Sequence, residues 1–225
     1  MLRGLAMGAL VFVVALNGQH PHVKTNPQDG LTYVWIPAGV FQTGCSRGDA
    51  ECFGWEQPRR EVQISKGFWI GETEVTQAAY ERVTGTNPSR YRGARRPVDQ
   101  VGSTDSGQYC AETGMRLPTE AEWEFAARGG SVASRFGELE RIAWYDANSD
   151  DQTHDVGQKL PNGFGLYDML GNVWEWVEDA WGREGAKVLK GAAFFNIARD
   201  VRVSNRLWAA PDTRHRDMGF RCAAD

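Results

Sequence analysis

Twenty-six glycines and nine tryptophans among 225 residues constrain this chain more than any other feature of its composition. Glycine reaches positive φ without steric cost, and large rings can fill a core between irregular segments. Together they predict a loop-rich fold with little regular secondary structure. A hydrophobic content of 41% is ordinary for a globular chain, and the length suits one sizeable core. No internal repeat, low-complexity tract or linker divides the sequence, so a single domain is expected over residues 31–225. The net charge of −4 gives no electrostatic reason to expect nucleic acid or an anionic membrane as a partner.

The N-terminus has a basic start at Arg3, an apolar run from Leu5 to Leu16, and then Asn17-Gly18-Gln19, the layout of a secretory signal peptide over residues 1–18. About a dozen apolar residues fall short of the roughly 20 needed to span a bilayer, which favours a cleaved signal over a retained anchor. An exported protein, periplasmic or secreted, with no membrane contact after cleavage, is the expectation. Four cysteines, Cys45, Cys52, Cys110 and Cys222, fit an oxidising destination and two disulfides. Cys45 and Cys52 enclose the short polar segment 46–51, which a local bridge would close. Spacing alone leaves all three pairings open.

Leu31 to Pro37 is β-branched and aromatic and reads as a strand ended at Pro37 and Gly39; Phe68 to Gly71 reads as another. Thr76 before Gln77-Ala78-Ala79-Tyr80 reads as an N-capped helix stopped at Gly85. Thr119-Glu120-Ala121-Glu122 is a capping box for a second helix ended by Gly129-Gly130, which makes those carboxylates structural rather than catalytic. Beyond Gly130 turns dominate and strands are hard to place.

Asp168 and Glu175 flank a glycine-containing turn whose carbonyls can complete an oxygen shell, the donor set that a hard cation such as Ca²⁺ takes. The run Asp146-Ala147-Asn148-Ser149-Asp150 opens like an EF-hand, but it lacks glycine at the sixth position and has Gly157 where the bidentate glutamate belongs. His20, His22, His154 and His215 have no ligand-like neighbour at metal spacing. No phosphate loop, GxSxG elbow or HExxH motif appears, which removes the familiar hydrolase and nucleotide-binding readings.

Four stretches occur in order: Arg116-Leu117-Pro118-Thr119-Glu120-Ala121-Glu122-Trp123-Glu124-Phe125, Gly171-Asn172-Val173-Trp174-Glu175-Trp176, Lys190-Gly191-Ala192-Ala193-Phe194 and Gly219-Phe220-Arg221-Cys222. With them the chain resembles the formylglycine-generating enzymes, or sulfatase-modifying factors. The resemblance covers about Tyr33 to Asp225 and implies an α+β fold related to C-type lectins. It implies a Cys110–Cys222 bridge, and leaves Cys45 to pair with Cys52. It also implies a structural calcium site with Asp168 and Glu175 as side-chain ligands and Gly171 and Val173 as carbonyl ligands. A second site would begin at Asn148 and Ser149.

The resemblance breaks where the chemistry should be. Catalytic members hold Cu(I) on two thiolates, a soft ion on soft ligands. Here the first thiolate position is Asn196, the second falls between Ala198 and Val201, and a serine beside the oxygen pocket is Ala193. Copper is not expected, and the leading reading is a non-catalytic binding or accessory domain for a protein or small-molecule ligand. Trp174, Phe194, Phe195, Asn196, Arg206, Trp208, His215 and Arg216 are the residue types that anchor recognition. Two alternatives stand beside it. One is an oxidoreductase of the same family, with Trp174, Arg206 and an acid such as Glu175 in one pocket. The other is a diversified ligand-binding protein of a diversity-generating retroelement. Arginines 199, 202, 206, 214, 216 and 221 alternate with Asp200, Asp212 and Asp217, a pattern that fits loop-fixing ion pairs better than an anion-binding face.

Overall fold

The computed structural model describes residues 22–182 and 185–225. The signal segment expected over residues 1–18 and His20 lie outside the described residues. The fold is α+β and loop-rich, with two four-stranded sheets and a hairpin joined by turns.

The first sheet gathers both ends of the described chain. Strand β1 (Val23–Thr25) pairs with β2 (Thr32–Ile36), β2 with β5 (Phe68–Gly71), and β5 with β10 (Ala223–Ala224), all antiparallel. Residues before 31 thus join the first sheet: Val23 sits in register with Val34. A separate hairpin is made by β3 (Gly39–Thr43) and β4 (Arg60–Ile64), with a 3-10 turn, Gly54–Glu56, between them.

Both helices expected from their caps form. In α1 (Gln77–Thr84) the Ala79 amide donates to Thr76 Oγ1 at 3.3 Å. In α3 (Glu120–Arg128) the capping box closes both ways: the Glu122 amide donates to Thr119 Oγ1 and the Thr119 amide to Glu122 Oε2, at 3.2 and 2.8 Å. Gly129 ends α3 at φ 54°, where a side chain would strain the backbone. Helix α2 (Ser103–Glu112) gave no sequence signal, because its first turn is polar and its cap is Gly102. What holds it is tertiary: the Asp105 carboxylate accepts from the Gly102 amide at 2.9 Å, and Tyr109 and Cys110 are fully buried. A short α4 (Leu139–Ile142) follows.

Past Gly130 the chain is more regular than its composition suggested. Strand β6 (Trp174–Trp181) pairs with β7 (Ala186–Lys190), β7 with β8 (Arg206–Ala209), and β6 in parallel with β9 (Met218–Gly219). The start of β6, Trp174 to Val177, is buried throughout, so it shows no alternation for a reader of the sequence to find. Trp123 and Trp176 are fully buried at the centre of the core, and the Trp176 indole donates to the Val101 carbonyl at 2.9 Å. Two disulfides close, Cys45–Cys52 and Cys110–Cys222, with Cα–Cα distances of 5.8 and 5.6 Å. The second ties α2 to the last strand.

Candidate functional site

The turn that leads into β6 sets the first part of the site. Gly171 sits at φ 81°, and a Cβ there would lie 2.1 Å from the Trp144 carbonyl oxygen, so only glycine fits. Beyond the turn, the buried Glu175 carboxylate accepts from Arg221 through both oxygens at 2.7 Å, and its Oε2 also accepts from the Trp123 indole at 2.7 Å. Arg221 donates further to the Gly71 and Tyr167 carbonyls, each at 3.0 Å. Glu74, which the sequence did not single out, accepts from Asn172 Nδ2 at 2.8 Å and from the Val173 amide at 3.3 Å. Asp168 accepts from the Gly157 amide through Oδ2 at 2.7 Å. Its Oδ1 is buried without a hydrogen-bond partner.

Three buried acids thus share one buried arginine. Burial pushes the Glu74 carboxyl well above its usual range, with the charges of Asp168 and Glu175 adding to the effect. Burial pushes Asp168 up to about 6 despite the Gly157 amide and Arg221. Uncompensated buried negative charge is costly, and a hard divalent cation is one way to offset it. The donor set fits calcium. Asp168 Oδ1 is free to ligate, and Glu175 Oε1, which accepts from one donor against two on Oε2, keeps a lone pair. The shell needs the Gly171 and Val173 carbonyls, because these carboxylates do not form a tight three-ligand side-chain cluster among the described residues.

The segment expected to open a second calcium site is built differently. Asn148 Oδ1 accepts from the Tyr145 amide at 2.9 Å, and Asn148 Nδ2 donates to the Ala143 carbonyl at 3.1 Å. Ser149 donates its hydroxyl to the Phe194 carbonyl at 2.8 Å, and its own carbonyl meets His154 Nε2 at 2.7 Å. Asn148 and Ser149 are thus already engaged by protein partners, and the His154 ring is stacked 3.8 Å from Trp144.

Between Lys190 and Cys222 the position of the first thiolate is a loop-fixing residue. Asn196 Oδ1 accepts from the Ala193 amide at 2.8 Å, and its Nδ2 donates to Asp200 at 3.3 Å. All four cysteines are in disulfides, so the chain has no free thiol to place nearby.

The eight recognition residues do not share one rim. Phe194 and Trp174, named as recognition residues, are buried, at 0% and 4% exposure. Phe194 packs edge-on to Tyr91 and Phe195, which makes it part of the scaffold. Asn196 fixes its loop, and the other five divide into two groups. Arg216 pairs with Asp151 at 3.2 Å, hydrogen-bonds the Tyr91 hydroxyl, and lies 5.9 Å from the Phe195 ring, with His215 adjacent and bonded to Asp217. Arg206 instead pairs with Glu120 at 2.7 Å and lies 4.2 Å over Trp181, while Trp208 projects from the same strand at 56% exposure. Tyr91, Asp151, Trp181 and Glu74 were missed, since each is an isolated residue whose role depends on a distant segment. Trp55, also missed, lines a polar cleft of about 160 Å³ with Arg60, Glu120, Asp179 and Arg206.

This architecture is that of a known class: residues 19–225 match the sulfatase-modifying factor enzyme 1-like domain. The chain belongs to the formylglycine-generating enzyme family, with its C-type-lectin-like fold. Its relatives include both active and inactive members. It is 32% identical over 208 residues to the inactive C-alpha-formylglycine-generating enzyme 2 of Mus musculus, covering 78% of this chain and 67% of the relative. It is 31% identical over 226 residues to the formylglycine-generating enzyme of Thermomonospora curvata, covering 79% and 74%. The solved structure of PvdO from Pseudomonas aeruginosa superposes with a TM-score of 0.83 at 29% identity, over 92% of this chain and 100% of that one. No described helix is long and apolar enough to cross a membrane.

Proposed function

We propose that this chain is an exported, calcium-stabilised member of the family that binds a protein or small-molecule ligand and does not form formylglycine. One observation carries the reading: Asn196 stands at the first thiolate position with its amide committed to the loop, and every cysteine is already in a disulfide. Copper held by thiolates therefore finds no ligands while both bridges are closed. Calcium, held by Asp168, Glu175 and the Gly171 and Val173 carbonyls, would supply charge compensation and pin the turn before β6, with no part in chemistry. The composition of the N-terminus and the paired cysteines support export.

The surfaces left for recognition are the Arg216–Tyr91–Phe195 patch and the Arg206–Trp208 edge of β8, where aromatic and guanidinium groups combine rigid area with directional donors. The oxidoreductase alternative required Trp174, Arg206 and Glu175 in one pocket. Trp174 is instead buried, Glu175 is bound to Arg221, and Arg206 faces Glu120. A diversified surface finds little support in a buried Phe194. The test is oxygen uptake by the purified protein with added copper and a cysteine-containing sulfatase peptide. No uptake and an unmodified peptide by mass spectrometry are expected. Copper-dependent uptake with conversion of the peptide cysteine to formylglycine would overturn the reading.

A further inference from the structure

The segment of residues 45–56 does more than close a local loop. Asp49 reaches Arg202 at 3.4 Å, Arg199 donates to the Glu51 carbonyl at 3.2 Å and lies 4.3 Å over Phe53, and Glu56 holds the fully buried Arg202 through both oxygens at 2.6 Å. This loop therefore lies on residues 199–204, close to the segment from which the family's thiolates are missing. Within it, the sulfurs of Cys45 and Cys52 and a carboxylate oxygen of Asp49 all lie within 4.8 Å of one another. Among the described residues this is the one group of three potential metal-ligating side chains so placed.

We propose that the Cys45–Cys52 bridge covers a redox-gated metal site, in which the reduced pair and Asp49 bind a borderline divalent cation such as Zn²⁺. Reduction by a dithiol is balanced: the protein disulfide takes two electrons and two protons to give two cysteine thiols, and the dithiol becomes a disulfide. Binding of the cation then displaces both thiol protons, leaving two thiolates and one carboxylate on the metal and a fourth position for solvent.

Three features support the site. The donors lie within reach once the bridge opens: the sulfurs are bonded to each other in the closed state, reduction lets them part to the roughly 3.5 to 3.8 Å that ligands of a tetrahedral zinc keep, and the Asp49 carboxylate already lies within 4.8 Å of both. A guanidinium nitrogen of Arg202 lies 3.4 Å from Cys52 Sγ, and a neighbouring cation favours the thiolate over the thiol. The bridge is also the more accessible of the two. Cys45 is 8% exposed and Cys52 is partly exposed, whereas Cys110 and Cys222 are fully buried. It closes a separation of 7 residues against 112, so less chain entropy keeps it shut.

The experiment treats the full chain with a phosphine reductant under native conditions, counts thiols, and titrates it with Co²⁺ as a spectroscopic substitute for Zn²⁺. Two thiols, sulfur-to-metal charge-transfer absorption with the intensity of a tetrahedral centre, and displacement of Co²⁺ by Zn²⁺ are expected. Asp49→Asn should keep the charge-transfer band and weaken binding about tenfold. The Cys45→Ser, Cys52→Ser double variant should lose the band. No accessible thiols before unfolding, no band in the reduced protein, or an equal band in the double variant would each overturn the proposal.

Discussion

Two buried arginine–glutamate pairs, Glu175–Arg221 and Glu56–Arg202, are both bidentate, the first through Nε and Nη2 and the second through the two Nη atoms, and differ most in their surroundings. The first is crowded by Glu74 and Asp168, so three acids face one buried base, and an oxygen of Asp168 lacks a partner. Around the second, Asp49, Glu51 and Glu56 face Arg135, Arg199 and Arg202, and its parts are tied by a disulfide. The difference teaches that a buried ion pair does not reveal its role by itself. A surplus of one sign is where an outside ion is proposed, whereas a balanced group joined by a covalent tie holds loops together for as long as the bridge is closed.

The largest effect should come from cutting the long disulfide. In the chain-entropy model, replacing Cys110 and Cys222 removes about 5 kcal/mol, against about 2.5 kcal/mol for Cys45 and Cys52. Urea unfolding of the two double variants would order them. Next, Arg221→Met and Arg202→Met each break a buried pair, at about 3 to 5 kcal/mol. Calcium separates the two: added calcium should stabilise the Arg202 variant as it does the parent, by about 2.7 kcal/mol at 100 times its Kd. Asp168→Asn should lose most of that response, as thermal unfolding with and without chelator will report. Equal calcium responses in the parent and Asp168→Asn would break the comparison.

The two readings of the recognition residues separate more finely. Phe194→Ala should cost about 3 to 5 kcal/mol as a core truncation, and Trp208→Ala less than about 0.5 kcal/mol as an exposed one, by chemical denaturation. The smallest effect is on pH dependence. Asp99 is buried beside the Arg90 and Tyr91 amides, and burial outweighs them to push its carboxyl up to about 6 from 3.8. The folded state then holds this proton more tightly than the unfolded chain, so the contribution is complete below about pH 4 and lost as pH rises through about 6. Asp99→Asn should flatten the decline in denaturation midpoint over that window.

Legibility followed locality. The caps at Thr76 and Thr119 and the strands at Thr32 and Phe68 were readable, because each signal lies within a few residues of the structure it specifies. The site's family and its missing thiolates were readable from ordered motifs. Helix α2 and strands β6 to β8 were not, since Tyr109, Cys110 and Trp176 are held by residues far away in sequence. For the same reason Glu74 was invisible as a neighbour of Glu175, and Phe194 looked like a surface anchor until Tyr91 was seen packed against it.

The most direct test of the account is the metal content of the purified protein by elemental analysis. Calcium close to one per chain, with copper absent after exposure to Cu(I) without any disulfide-reducing agent and removal of weakly bound metal, is the predicted result for the parent with its Cys45–Cys52 bridge intact. Stoichiometric copper in that protein, or no calcium in protein kept free of chelators, would contradict it.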